Sequence, residues 1–258
     1  MIKINAYSLS DFVAKYLPRQ RPARSIKATM LHHTYRPRAQ DYRGITTIEN
    51  IRSYHVHSRG WRDIGANAYA APDGRVYNAR PLSYDNYAHA YVAKTWNQVP
   101  DDVKTLAYPD RQFFNRYAFA IETIGDFDVQ PIDPIPPALD TALWVLAAVH
   151  NLYNLPPQRL FLHRDVAHKS CPGNRISRQW ARSQLAARIN GSAPAQHTGQ
   201  ELKVVLLPGS HSINCQPALE EGMTRCDLRP LAEALGCEVI ADDLPATGTI
   251  YVRRKQAQ

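Results

Sequence analysis

Short apolar strands alternate with longer amphipathic helices along most of this chain, and this alternation is what most constrains its fold. The strand candidates are residues 26–31, Ala118–Thr123 and Leu160–Leu162. Two segments, residues 137–153 and 176–189, carry apolar residues at helical spacing. Alternation of this kind predicts an α/β protein in which helices cover the faces of a central sheet.

Weaker patterns fill the intervals between these elements. Helices are predicted over residues 8–18 and 45–58, and a hairpin over residues 68–79. Residues 84–117 are rich in aromatic side chains and are predicted to form a long irregular loop. Such a loop is more often functional, or an insertion, than a packed element.

A chain of 258 residues has room for one large domain and one small module. Residues 190–200, which read NGSAPAQHTGQ, have the composition of a linker. We therefore predict a principal domain over residues 1–189 and a small module over residues 201–258.

Charge is distributed unevenly between these two parts. Residues 1–190 hold 25 basic and 15 acidic side chains, whereas residues 191–258 hold 6 and 8. A basic domain is attracted to polyanions such as nucleic acid, anionic lipid or wall polymers. Because no run of five basic residues occurs, an ordinary solvated surface explains this charge equally well. No basic and aromatic sheet motif accompanies it, so nucleic acid is not an expected partner.

The sequence contains neither a transmembrane segment nor a recognisable secretory signal. No apolar run approaches the ~20 residues that cross a bilayer, and residues 1–20 lack the apolar segment of a signal peptide. The four cysteines are too few for a disulfide scaffold. Three of them, Cys215, Cys226 and Cys237, are interpreted as small buried side chains. We expect synthesis in the cytoplasm.

Residues 160–175 concentrate side chains that can bind a metal ion. The apolar strand leads to His163, and Cys171 follows eight residues later in a turn-rich loop. Zinc prefers imidazole and thiolate ligands, and a strand end and the following loop can converge on one ion. The histidine pair His32 and His33 is the obvious source of a third ligand. Any one of these side chains alone is more often a packed core residue, but together they favour a zinc site.

Four segments in this order carry a resemblance to a known family: LHHT from residue 31, YHVHSRGWRDIGANAYAAPDGRVYNARP from residue 54, NRYAFAIE from residue 115 and LHRDVAHKSCPG from residue 162. Over about residues 25–185 the chain resembles the zinc-dependent N-acetylmuramoyl-L-alanine amidases of the peptidoglycan-recognition and phage-lysozyme superfamily. The resemblance implies a central mixed sheet flanked by helices. It also implies one zinc ion held by His32, His163 and Cys171, with a water in the open position.

The same resemblance implies two catalytic residues. One branch of the family places a tyrosine after the glycine that precedes the second strand, but here Ala66 follows Gly65. The other branch uses a glutamate, which Glu122 matches, and a carboxylate there can accept a proton and pass it to the leaving amine. An alternative role for Glu122 is to form a salt bridge or to orient a ligand histidine. Lys169 matches the family's lysine that stabilises the oxyanion, and its alternative is an ordinary exposed lysine.

Three residues are weaker candidates for substrate binding. His89 resembles a histidine that lines the family's groove, while Asn67 and Tyr69 either face the cleft or pack in the core. His55 and His57 fall on the helix predicted over residues 45–58 and are interpreted as surface residues.

The tail, residues 202–254, resembles the small module named after the amino-terminal domain of copper amine oxidases, which is common on secreted bacterial wall enzymes. The resemblance implies an α+β module with a hairpin, a helix over residues 228–236 and a final strand pair. His211 stands alone, so no copper site is expected. We interpret the tail as a wall-binding or spacer module, with dimerisation as the alternative, and the oligomeric state stays open.

Two classes of function follow from the resemblance. The first is zinc-dependent cleavage of the amide between N-acetylmuramic acid and L-alanine in the peptidoglycan of bacterial walls, by a phage or prophage endolysin that a holin-like route releases. A cytosolic muropeptide-recycling amidase is the alternative within that class. The second is a module that recognises peptidoglycan without cleaving it. The enzyme is favoured because all three ligands, Lys169 and Glu122 are present.

Overall fold

A computed structural model gives the structure of the chain. It describes residues 3–20, 25–88, 92–189 and 191, together with the backbone of six strands between residues 202 and 254. The chain forms two compact units, Met1–Gln196 and His197–Gln258. Within the described residues, no helix combines the length and the apolarity needed to cross a bilayer.

The first unit is built on a six-stranded mixed sheet, which confirms the predicted fold class. Its strands are β1 (Ala6–Tyr7), β2 (Ala28–His33), β3 (Ala68–Ala70), β4 (Val76–Asn78), β5 (Ala118–Thr123) and β6 (Leu160–Leu162). They lie side by side in the order β1-β4-β3-β5-β2-β6. Strands β3, β5, β2 and β6 run parallel, whereas β4 is antiparallel to both β3 and β1.

Helices flank this sheet. They are α1 (Leu9–Asp11), α2 (Leu17–Arg19), α3 (Ile45–Ser53), α4 (Asp101–Ala107), α5 (Phe113–Tyr117), α6 (Pro137–Tyr153), α7 (His163–Val166) and α8 (Arg178–Ile189). The π-helical turn Phe12–Tyr16 joins α1 to α2, and a second π-helical turn, Tyr54–Ser58, extends α3. Ser8 caps α1, since its hydroxyl accepts a hydrogen bond from the backbone N–H of Asp11. Helix α3 with its π-helical turn confirms the helix predicted over residues 45–58, and α6 confirms the one predicted over residues 137–153.

The pleat divides the side chains of the sheet between two faces, because successive residues of a strand point in opposite directions. Leu31, Ile121 and Leu162 belong to what we call the α6 face, which packs against α6 and α8. Met30 and Ala120 belong to the opposite face, which we call the groove face; side chains from α3, α4 and α5 cover it. Both faces are buried, which explains why the strands read as nearly continuous apolar runs.

Helix α6 supplies much of the core on the α6 face. Four apolar side chains recur on one side of it and are fully buried: Leu139, Leu143, Leu146 and Val149. Burying a side chain of this size contributes about 1.5–3 kcal/mol. The helix begins at Pro137, where the missing N–H costs nothing, and it ends before Asn154, whose left-handed conformation (φ 52°) closes its last turn.

The prediction of a long irregular loop over residues 84–117 is wrong, because this segment contains α4 and α5. Helix α4 carries Asp101 and Asp102 in its first turn, where carboxylates interact favourably with the helix dipole. The buried side chains of Val103 on α4 and Phe114 on α5 pack these two helices against the groove face. Each helix spans two turns or fewer, and so short an element shows no readable periodicity.

The second unit is described only by its strands, which are β7 (Leu202–Leu207), β8 (Ser212–Cys215), β9 (Ala218–Glu220), β10 (Met223–Arg225), β11 (Cys237–Asp242) and β12 (Thr249–Arg254). Four of them form a sheet in the order β11-β12-β7-β8, and β9 pairs with β10. The final pair, β11 and β12, is antiparallel. The helix predicted over residues 228–236 lies outside the described residues.

Candidate metal centre

The register of the sheet brings the predicted site residues into one row. His32 on β2 is the partner of Glu122 on β5, and Glu122 is in turn the partner of Tyr69 on β3. Leu31 pairs with Leu162, the last residue of β6, so His163 follows directly beside His32. The row lies on the groove face at the carboxyl ends of parallel strands, where α/β sheets place their ligands.

The loop after α7 returns Cys171 to the same place. Its Sγ lies 3.7 Å from His32 Nδ1, and the rings of His32 and His163 have their centroids 4.5 Å apart. The candidate ligand atoms of His32, His163 and Cys171 all lie within 4.8 Å of one another. All three side chains are buried. The structure therefore groups the three residues that the sequence predicted as zinc ligands.

The donor set fits zinc. A tetrahedral zinc ion with Zn–S of about 2.3 Å and Zn–N of about 2.0 Å separates its sulfur and nitrogen ligands by roughly 3.6 Å, close to the distance between Cys171 Sγ and His32 Nδ1. Burial, and then the nearby Glu122, raise the pKa of the Cys171 thiol, while a hydrogen bond from the backbone N–H of His33 and the charges of Lys169 and Arg164 lower it. Metal coordination requires the thiolate, so a zinc ion bound here would offset this rise.

His33 is placed differently, although it is the next residue along β2. It falls on the α6 face, where its Nδ1 accepts a hydrogen bond of 3.2 Å from the backbone N–H of Phe127. Its ring also stacks on that of Phe127, and burial lowers its pKa. The alternation of the strand thus separates the two rings and directs only that of His32 toward Cys171, while the backbone N–H of His33 donates to Cys171 Sγ at 3.4 Å.

Glu122 lies beside the three candidate ligands, and all four side chains line one open cavity, which we call the groove. Burial raises its pKa to about 8, and the charge of Lys169 opposes that rise. No salt bridge of Glu122 occurs among the described residues, which weighs against the ion-pair alternative. A carboxyl group with a pKa near neutrality is suited to both accept and release a proton. Lys169 is exposed and lines the same groove.

The groove itself is an open cavity of about 1010 Å³. The metal-ligating cluster, Glu122 and Lys169 form one part of it. Side chains from the start of α3, from the turn after it and from the loop after β2 form the rest, among them Tyr35, Arg36, Arg43, Tyr54, His55, Arg59 and Trp61. It presents both aromatic and cationic side chains to a ligand.

His55 corrects the interpretation of that residue as a surface histidine. It is half-buried and lines the groove, and its Nδ1 accepts a hydrogen bond of 3.3 Å from the backbone N–H of Gly65. Its ring lies against Trp61 with centroids 4.4 Å apart, and burial lowers its pKa to about 4. His57 is exposed, as expected. The helical spacing of His55 and Tyr54 did not indicate which side of α3 borders the groove.

Two of the three residues predicted to bind substrate, Asn67 and Tyr69, are not among the residues that line the groove. Asn67 is buried, and its Oδ1 accepts a hydrogen bond of 2.8 Å from the N–H of Ala120 while its Nδ2 donates to the carbonyl of Arg80. Tyr69 is fully buried, and burial followed by the charge of Glu122 raises its pKa. Burial favours packing as the role of both side chains. His89 lies outside the described residues.

Comparison with known proteins identifies the family of this chain. A family model described as N-acetylmuramoyl-L-alanine amidase matches residues 22–174. Peptidoglycan recognition protein 1 of Bos indicus is 30% identical over 138 residues, which cover 51% of this chain and 60% of that protein. Peptidoglycan-recognition protein SC2 of Drosophila melanogaster is 37% identical over 133 residues, which cover 51% and 59%. The chain spans about three fifths of the length of these curated relatives.

Among solved structures, N-acetylmuramoyl-L-alanine amidase LysC from Clostridium intestinale URNW is similar to this chain at 25% identity with a TM-score of 0.42. The match covers 62% of this chain and 87% of that one.

Proposed function

This chain belongs to the N-acetylmuramoyl-L-alanine amidase family, and we propose that it hydrolyses the amide bond between N-acetylmuramic acid and L-alanine in peptidoglycan. The observation that carries the proposal is the convergence of two imidazoles and one thiol beside Glu122 at the floor of an open groove. His32, His163 and Cys171 would hold the metal. Zinc bound there supplies Lewis-acid activation of a water and polarises the scissile carbonyl.

Glu122 performs the proton transfers of this reaction. It stands next to His32 across the β2–β5 pair, so its carboxylate borders the cluster. It accepts a proton from the attacking water and passes it to the departing L-alanine amine. General acid–base transfer of this kind is worth typically 10²–10⁴-fold in rate, and it is most efficient when the pKa lies near the working pH.

Lys169 stabilises the negative charge that develops on the carbonyl oxygen during attack. It lies two residues before Cys171, lines the groove and acts electrostatically on both Glu122 and Cys171. A fixed cation beside a developing oxyanion lowers the barrier more than it stabilises the substrate, since the charge is present only in the transition state.

We place this activity in a phage or prophage endolysin. The excess of basic residues in residues 1–190 suits an anionic wall polymer, and the tail adds a second unit that fits a wall-binding role. A muropeptide-recycling amidase would have no evident use for either feature. The two are distinguished by substrate: the endolysin cleaves intact sacculi, and the recycling enzyme prefers soluble anhydromuropeptides.

Recognition without cleavage is the second candidate, and a specific observation favours it. The curated relatives described above are named peptidoglycan recognition proteins, which is a binding function. The presence of a complete set of candidate ligands together with Glu122 favours the enzyme over this alternative.

Release of new amino termini from purified sacculi tests the proposal. The wild type, Cys171→Ala and the control Cys226→Ala are assayed with and without added zinc, and their metal content is determined. We expect one zinc ion and exposed L-alanine amines for the wild type and for Cys226→Ala, and neither for Cys171→Ala. A wild type that binds zinc and sacculi but releases no amine would establish recognition instead.

A further inference from the structure

We propose that Asp128 is a positioning residue that fixes the Cys171 loop against the strand carrying His32, and that it thereby sets the affinity of the centre for zinc. This role rests on the metal centre of the proposed function. Asp128 does not contact the candidate ligands and acts through the backbone on either side of Cys171.

The carboxylate of Asp128 binds the loop at two points that bracket Cys171. The hydroxyl of Ser170 donates a hydrogen bond of 2.6 Å to Asp128 Oδ2, and the backbone N–H of Asn174 donates one of 2.8 Å to Oδ1. Hydrogen bonds to an ionised carboxylate are roughly twice as strong as those between neutral groups. Residues 170 and 174, which lie on either side of Cys171, are therefore held by a single side chain.

Phe127, the neighbour of Asp128, joins the same loop to strand β2. Its carbonyl accepts a hydrogen bond of 3.2 Å from the N–H of Arg175, and its own N–H donates to His33 Nδ1. Gly173 lies so close that a Cβ there would be 2.3 Å from the carbonyl carbon of Phe127. Residues 127 and 128 thus form a bridge between the strand of His32 and the loop of Cys171.

The bridge is anchored where it starts. Asp126 is buried and forms a salt bridge of 2.9 Å with Arg38, which follows β2 along the chain. Because both of its ends are fixed, the bridge supports the separation of His32 and Cys171 alongside the direct hydrogen bond of 3.4 Å that the backbone N–H of His33 donates to Cys171 Sγ. Partners that orient metal ligands typically contribute 10–100-fold to metal affinity.

Arg164 holds the opposite side of the loop and keeps it folded independently of Asp128. Its backbone N–H donates to the carbonyl of Cys171 at 2.8 Å, and its guanidinium donates to the carbonyls of Ser170 and Gly173. Loss of the Asp128 carboxylate therefore leaves the internal bonds of the loop in place. We expect the loop to shift relative to β2 rather than to unfold.

The test is the zinc affinity of the full chain, measured by competition with a chromogenic chelator, for Asp128→Ala, Asp128→Asn and Ser170→Ala. Asp133→Asn is the matched control, since Asp133 is an exposed carboxylate five residues further along the chain. We expect Asp128→Ala to lower the zinc affinity by about 10–100-fold. Asp128→Asn and Ser170→Ala, which retain one of the two contacts, should lower it less, and the control should match the wild type.

Two further readouts separate positioning from a general loss of structure. The melting temperature of the metal-free Asp128→Ala protein should stay close to that of the wild type. The visible spectrum of the cobalt(II)-substituted protein should change its tetrahedral bands in Asp128→Ala and regain them in Asp128→Asn.

An Asp128→Ala protein with wild-type affinity and an unchanged cobalt spectrum would overturn the role of Asp128. So would a loss of affinity that accompanies an equal loss of metal-free stability. A wild type that takes up no zinc would remove the centre and this role together. Zinc uptake by the wild type without amine release would leave the role of Asp128 standing and overturn only the amidase function.

Discussion

The buried histidines on the two faces of the central sheet have different surroundings. On the α6 face, His150 has both ring nitrogens engaged: Nε2 lies 2.8 Å from Thr29 Oγ1 and Nδ1 lies 3.1 Å from the carbonyl of Leu155. On the groove face, His32 and His163 turn toward each other and toward the thiol of Cys171. On the α6 face His150 completes a packed core, whereas the groove face gathers three side chains that could hold a metal ion.

This difference teaches where stability and chemistry lie in the molecule. The α6 face packs a large cluster of buried apolar side chains beneath α6 and α8. The edge of the groove face buries Cys171, His32 and His163 beside Glu122, which is unfavourable for a fold without a ligand. Ionisable groups with shifted pKa values cluster at functional sites because their chemistry requires it. Substitutions on the two faces should therefore have separable effects.

The largest expected effect is on catalysis from the groove face. Glu122→Gln should lower kcat by about 10²–10⁴-fold because the proton acceptor is lost, while zinc content and the free energy of unfolding stay at or above the wild-type level. Steady-state assays on sacculi, metal analysis and urea unfolding measure the three quantities. Glu49→Gln on the exposed side of α3 is the control. A Glu122→Gln enzyme with normal kcat and weakened zinc binding would instead assign Glu122 to orienting a ligand.

The converse effect comes from the α6 face. Leu146→Ala should lower the free energy of unfolding by about 2–5 kcal/mol, because it removes a fully buried side chain and leaves a cavity. The zinc affinity and the kcat of the folded protein should not change. Leu152→Ala, at the partly exposed end of the same helix, should cost less. A fall in zinc affinity for Leu146→Ala would mean that the two faces are coupled.

A smaller catalytic effect is expected from Lys169. Lys169→Met should lower kcat by about 10²-fold with little change in KM, since the lost charge acts on the transition state. Lys169→Arg should recover part of the activity because it retains the cation. If Lys169→Met raised only KM, the lysine would bind substrate rather than stabilise the oxyanion.

The smallest effect is a pH dependence of stability on the α6 face. Burial lowers the pKa of His150 to about 4, and hydrogen bonds to backbone carbonyls oppose that shift. Because the folded pKa lies below the unfolded value near 6.5, this stability is complete above about pH 6.5 and is lost as the pH falls toward 4. His150 alone should account for about 2 kcal/mol between pH 7 and pH 5.

Urea unfolding of His150→Gln across that range should give a shallower dependence on pH than the wild type. The exposed His57→Gln should retain the wild-type slope. Equal slopes for all three proteins would show that His150 is not protonated on unfolding and would weaken the contrast between the two faces.

The fold was readable from sequence where elements are long or strongly apolar. The bounds of β5, β6 and α6 match their predicted ranges, since buried parallel strands and an amphipathic helix of several turns leave clear patterns. Helices α4 and α5 were missed because they are short and depend on burial against the sheet. Tertiary contacts with the sheet stabilise these helices, and the local sequence gives no sign of such contacts.

The residues of the site were also predicted only in part. His32, Glu122, His163 and Cys171 were chosen by their place in sequence motifs, and strand alternation gives the physical reason that His32 rather than His33 joins the others. His55 and Asp128 were not identified, because the groove wall and the bridge to the Cys171 loop depend on contacts between segments far apart in sequence.

X-ray absorption at the zinc edge of this chain tests the central claim most directly, because it identifies the atoms around the metal. The structure predicts one sulfur at about 2.3 Å together with nitrogen or oxygen donors at about 2.0 Å, and no sulfur in Cys171→Ala. Zinc surrounded only by nitrogen and oxygen in the wild type, or sulfur that persists in Cys171→Ala, would contradict a centre built from His32, His163 and Cys171.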